Sequence, residues 1–95
     1  MMLLTKANRQ SLPAMRSTEN DADPMVQVKF FDPMGSWTWY ATEFDGEDTF
    51  FGWVDGTYPE LGYFSLSELS GYRGRFGLGI ERDRHFTPRP LSEVR

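Results

Sequence analysis

The stretch from Trp37 to Phe64 constrains the fold of this chain more than any other feature. It holds ten of the fifteen aromatic residues and is divided by Asp45-Gly46 and Asp55-Gly56. Aromatic and β-branched side chains suit a pleated, half-buried surface. Asp-Gly between two such runs is a strong local hairpin signal. Trp37 to Phe44, Thr49 to Val54 and Leu61 to Leu66 therefore read as three consecutive antiparallel strands. A fourth precedes them, because Val26-Gln27-Val28-Lys29-Phe30 alternates apolar and polar residues at the period of a half-buried strand. Asp32-Pro33-Met34-Gly35-Ser36 joins the first two with turn chemistry.

The register of the central hairpin follows from its side chains. A two-residue Asp45-Gly46 turn would set Glu43 opposite Asp48, and like charges in direct opposition are destabilising. A four-residue loop from Asp45 to Asp48 instead sets Tyr40 opposite Trp53 and Thr42 opposite Phe51, and is preferred.

Short helical segments flank the meander. Leu4 to Leu12 is predicted helical, with Thr5 as N-cap, Pro13 as terminator, and Leu4, Leu12 and Ala7 toward the core. Residues 17–24 are polar and aperiodic, hence a loop. Ser65-Leu66-Ser67-Glu68 matches a capping box and predicts a one- or two-turn helix that stops at Gly71. Residues 71–79 contain four glycines and read as a loop. Ile80 to Phe86 is a candidate edge strand, residues 87–90 an extended tail, and residues 91–94 at most one helical turn. The expected fold class is α+β: an antiparallel β-meander of about four strands, a short N-terminal helix, and a short helix after the fourth strand.

At 95 residues the chain is expected to be one domain. Its parts are residues 1–25 (helix and polar loop), 26–66 (aromatic, acidic meander) and 67–95 (short helix, Gly-rich loop, Arg-rich end). A domain of this size buries only about 60–65% of its unfolded surface, so aromatic residues are an efficient filling. The sequence has no cysteine, which excludes disulfides, thiolate metal sites and cysteine nucleophiles. The apolar start of Met1-Met2-Leu3-Leu4 is far shorter than the roughly 20 residues of a membrane span. Together these features lead to the expectation of a cytoplasmic protein without membrane contact.

Charge is distributed unevenly. Residues 30–72 hold eight acidic side chains and no lysine or arginine, whereas residues 73–95 hold six arginines against three acids. Such asymmetry concerns partners rather than fold.

The runs WTWYATEFDGEDTFFGWVDG, PELGYFSLSEL, RGRFGLGIERD and TPRPLSE, with the opening LLTKANRQSLPAM, resemble a small bacterial domain-of-unknown-function family. Members of that family are common on plasmids and integrative elements. The resemblance covers nearly the whole chain and implies a mobile-element setting, but no catalytic residue and no cofactor.

Each candidate chemistry competes with a plainer explanation. Asp45, Glu47 and Asp48 cluster at a turn, but their spacing is not that of a calcium loop, and a solvated turn accounts for them. Glu43 with Glu60 or Glu68 would need a cleft for paired-carboxylate catalysis, which so thin a domain has little room to form. His85 lies in an alternating-charge stretch without a nucleophile partner. Gly74, Gly77 and Gly79 with Arg73 and Arg75 lack the Gly-Lys-Ser/Thr ending of a phosphate loop. No catalytic residue, metal or cofactor is expected.

Two binding surfaces remain. The aromatics Trp37, Trp39, Tyr40 and Trp53, rimmed by Glu43, Asp45, Glu47, Asp48 and Asp55, would suit a protein partner with a basic surface. In a mobile element, that partner would be a host nucleic-acid-handling or defence protein, met by acids that mimic phosphates. Alternatively, Arg73, Arg75, Arg82 and Arg84, with Tyr72, Phe76 and Phe86 among them, would contact nucleic acid. A small metal-dependent hydrolase is the third and weakest reading.

Overall fold

The computed structural model of the chain describes residues 3–95, so Met1 and Met2 lie outside the described residues. Helix α1 (Lys6–Ser11) opens on a reciprocal cap: Asn8 N–H donates to the Thr5 hydroxyl and Thr5 N–H to the Asn8 side chain, each at 3.0 Å. Leu4 and Leu12, just outside the helix, are buried as expected. Ala7 is a correction, because it lies on the exposed side.

The predicted first strand divides at Gln27 into β1 (Met25–Val26) and β2 (Val28–Phe31). β3 (Thr38–Phe44), β4 (Thr49–Asp55) and β5 (Glu60–Ser65) complete the meander. After helix α2 (Leu66–Gly71) and a 3-10 turn at Arg75–Gly77, β6 (Glu81–Arg82) pairs with β2. The main sheet is thus five antiparallel strands in the order β5-β4-β3-β2-β6. β7 (Arg89–Pro90) pairs with β1 as a separate ribbon, and a 3-10 turn, Leu91–Glu93, ends the fold.

Tyr40 stands opposite Trp53, as the side chains require, and the hairpin loop is the four residues Asp45 to Asp48. The register then slips at a bulge: Glu43 rather than Thr42 pairs with Phe51, while the Thr42 hydroxyl donates to the Phe51 carbonyl at 3.0 Å. Asp45 shapes the loop by accepting N–H bonds from Glu47, Asp48 and Thr49 at 2.8, 2.8 and 3.0 Å. Those bonds hold its carboxyl below the usual aspartate range. Gly52 is obligatory here. A Cβ on it would lie 1.8 Å from the Tyr40 carbonyl oxygen.

One face of the sheet carries the core. Phe50 is fully buried and stacks on Phe44 (centroids 4.6 Å apart) and Phe64 (5.1 Å), with Phe30 tilted against it at 5.4 Å. Leu4 and Leu12 from either side of α1, Leu69 from α2 and Ile80 from the segment before β6 close over these rings. The C-terminal segment and the polar loop cover much of the other face. Phe86 packs on Tyr40 (6.3 Å), the Arg95 guanidinium lies 5.8 Å from the Trp53 ring, and Leu91 is buried.

Candidate binding groove

One concavity lies on the core face, beside Phe64, Leu69 and Ile80 of the hydrophobic cluster. It is a half-open groove of about 460 Å³, within the range of small-ligand sites. Trp37, Trp39, Val54, Phe64, Leu69 and Ile80 form its apolar lining, Asp32, Glu68, Ser65 and Tyr72 its polar part, and Tyr63 borders it at the β5 edge. No lysine or arginine lines it.

Local chemistry places each of these groups. Asp32 shapes the β2–β3 turn: one carboxylate oxygen accepts Met34 N–H at 3.1 Å, and its backbone N–H donates to Trp37 O at 3.1 Å. The returning chain thereby sets Trp37 beside Trp39, with ring centroids 5.8 Å apart. Gly56 makes room for this pair, because a Cβ on it would meet the Trp37 ring at 2.6 Å. Trp37 remains 41% exposed. Across the groove, α2 begins at Ser65, whose hydroxyl accepts Glu68 N–H at 3.0 Å and donates to the Glu68 carboxylate at 2.9 Å. Asp48 anchors the same helix by accepting Ser67 N–H and the Ser67 hydroxyl, both at 2.8 Å. The Tyr72 hydroxyl then reaches back to Asp32 at 3.2 Å and spans the mouth. That hydrogen bond, followed by the negative charge of Asp32 and by desolvation, raises the Tyr72 phenol above its ordinary value.

The sequence-derived interaction residues do not form one surface. Trp37 and Trp39 meet in the groove. Tyr40 and Trp53 lie on the opposite face under Phe86 and Arg95. Asp45, Glu47 and Asp48 sit at the hairpin tip, and Asp55 at the other end of β4, paired with Thr38. Glu43 is the largest departure from the acidic-rim expectation, being only 3% exposed. Its carboxylate accepts Arg16 N–H at 2.7 Å, Thr18 N–H at 2.9 Å and the Thr18 hydroxyl. Burial opposes its ionisation, but the bonds from Thr18 and Arg16 outweigh burial and hold the carboxyl below the usual glutamate range. Glu43 therefore serves as an internal anchor for the polar loop. It is separated by the sheet from the groove and Glu68. Asp32, Glu68 and Tyr72 escaped the sequence reading as a group, because only the fold brings the β2–β3 turn against α2.

The arginine-rich end is dispersed. Arg73 donates to the carbonyls of Ser70 (2.9 Å) and Tyr72 (2.7 Å), which closes the C-terminus of α2. Arg82 reaches the Leu3 carbonyl at 2.9 Å. Arg75 and Arg84 are exposed. Of the aromatics expected among them, Tyr72 is engaged by Asp32 and Phe86 by Tyr40, while Phe76 is 81% exposed at a positive φ of 61°. Among the described residues, no group of three or more His, Asp or Glu side chains could hold a metal ion. Nor is any helix among them long and apolar enough to cross a membrane.

The fold defines a small α+β domain in which an antiparallel sheet carries an aromatic, acid-lined groove. The chain belongs to the family described as "Protein of unknown function (DUF2958)", whose family model matches residues 3–94. No curated protein and no solved structure matches it.

Proposed function

We propose that this protein is a non-enzymatic binding module whose groove receives a cationic side chain of a protein partner. The observation that supports this reading is the groove lining: two indoles, the carboxylates of Asp32 and Glu68, and no cation. A guanidinium or ammonium within about 6 Å of an indole face gains about 0.5–2 kcal/mol. A nearby carboxylate adds attraction and steers approach. The acids of residues 30–72 extend that field beyond the groove. In a bacterial mobile-element setting, such a module would act as an accessory that engages the phosphate-binding surface of a host nucleic-acid-handling or defence protein. The nucleic-acid reading is weaker, since Arg73 and Arg82 are engaged by backbone carbonyls.

Tryptophan fluorescence titrated with an arginine-rich peptide tests the proposal. Saturable change is expected at low salt, weakened by added salt and by Asp32→Asn with Glu68→Gln. A response equal for a glutamate-rich peptide, or unaffected by the double substitution, would reject it.

A further inference from the structure

The two edges of the main sheet differ. At one, β6 is two residues long, and shortness is itself a defence against pairing with other chains. At the other, β5 runs for six residues without lysine or proline and pairs only with β4.

Hydrogen bonding tells which groups this edge presents. The Thr49 carbonyl accepts Asp45 N–H and the Phe51 carbonyl accepts the Thr42 hydroxyl, so the odd-numbered residues of β4 turn their backbone toward β3. The Asp48 carbonyl accepts Leu66 N–H, so even-numbered residues face β5. Since antiparallel pairs alternate, Gly62 and Phe64 bond to β4, while Leu61 and Tyr63 point N–H and C=O outward. Among the described residues, no backbone bond joins Leu61 or Tyr63 to another element on that side. Their side chains are also exposed, at 45% and 67%.

We infer that the outer edge of β5 accepts an extended segment of a partner protein as a sixth strand, with cationic residues alternating with apolar ones. The alternation follows from the two faces. A sixth strand points every second side chain toward the Leu61 and Tyr63 side. The others point toward the core face, where Glu68 borders the groove. Charge decides against a second copy of this chain. Pairing β5 with itself would bring the exposed Glu60 of the strand and Glu68 of the adjoining helix from both copies to one edge, and like charges across an interface are repulsive. The cationic preference rests on the proposed reading of the groove; the strand pairing rests on the free edge alone.

Amide exchange followed by NMR, with a peptide alternating valine and arginine, tests the inference. At saturation, exchange of the Leu61 and Tyr63 amides is expected to slow at least about tenfold. A peptide N-methylated along one edge should give no slowing, and neither should Leu61→Pro, which removes one outward N–H. Shifts confined to the Trp37 and Trp39 indoles would overturn the strand pairing and leave the groove reading standing. Slowing at β5 without indole shifts would support the pairing and count against the groove. Equal slowing by a valine–glutamate peptide would overturn the charge preference. Protection that rises with protein concentration alone would identify a second copy as the occupant and overturn the inference. Absence of any response overturns both.

Discussion

Replacing Glu43 by glutamine tests the internal-anchor role directly, because it preserves shape while removing the charge. The carboxylate uses both oxygens: one accepts Arg16 N–H, and the other accepts the N–H and hydroxyl of Thr18. An amide has one oxygen. If it turns that oxygen to Thr18, its NH₂ group faces the Arg16 N–H, so one charge-assisted bond is lost and two others become neutral. Hydrogen bonds to charged groups contribute about 1.5–3 kcal/mol, so Glu43→Gln should cost about 2 kcal/mol. For a domain of this size, that lowers Tm by roughly 8–16 °C. The loss should also depend on pH. A carboxyl held below its ordinary value stabilises the fold above that value, and the contribution disappears as pH falls through the lowered one. The gap between wild type and variant should therefore be full above the ordinary glutamate range and close as pH falls below it, through the lowered value. Urea unfolding at several pH values measures it; Asp23, whose carboxyl is held low by the N–H and hydroxyl of Ser92, and Asp45 are common to both proteins and cancel in the difference. A loss under about 0.5 kcal/mol, or a gap that does not change with pH, would refute the reasoning.

Three further outcomes follow from the geometry. Gly52→Ala should destabilise the fold by about 3 kcal/mol or more, since the clash is with the Tyr40 backbone carbonyl, which cannot rotate away; near-wild-type thermal unfolding would contradict that placement. Asp48→Ala should cost about 1 kcal/mol by releasing Ser67 at the start of α2, seen as faster amide exchange in residues 66–71 than in the sheet. The raised Tyr72 phenol keeps its bond to Asp32 below the ordinary phenol range and loses it as pH rises through the raised value. Tryptophan fluorescence should therefore change at alkaline pH in wild type, and Tyr72→Phe should remove that step.

Local patterns made most of the elements legible in the sequence. Thr5 capping α1, Ser65 capping α2, the Asp-Gly turns and the Tyr40–Trp53 pairing all depend on residues a few positions apart or on one hairpin. The bulge at Thr42 and Glu43 was not readable, because a two-against-one pairing leaves no mark in the alternation until the polar loop supplies partners for Glu43. The split at Gln27 is similar. Both halves look like one strand, and only the C-terminal pairing of Met25 and Val26 with Pro90 and Arg89 separates them.

Eight acids without a lysine or arginine between Phe30 and Tyr72 were determined by the sequence alone, and with them the sign of the net charge of the meander. Tertiary structure decided which acids remain available to a partner. Glu43 is buried among loop donors, Asp45 and Asp48 are engaged by backbone N–H groups, and Asp32 and Glu68 meet across a groove. The physical reason is that net charge is a sum over residues. Asp45 finds its donors within its own turn, but the donors of Asp48 and Glu43 lie 19 to 27 residues away, and only folding brings them together.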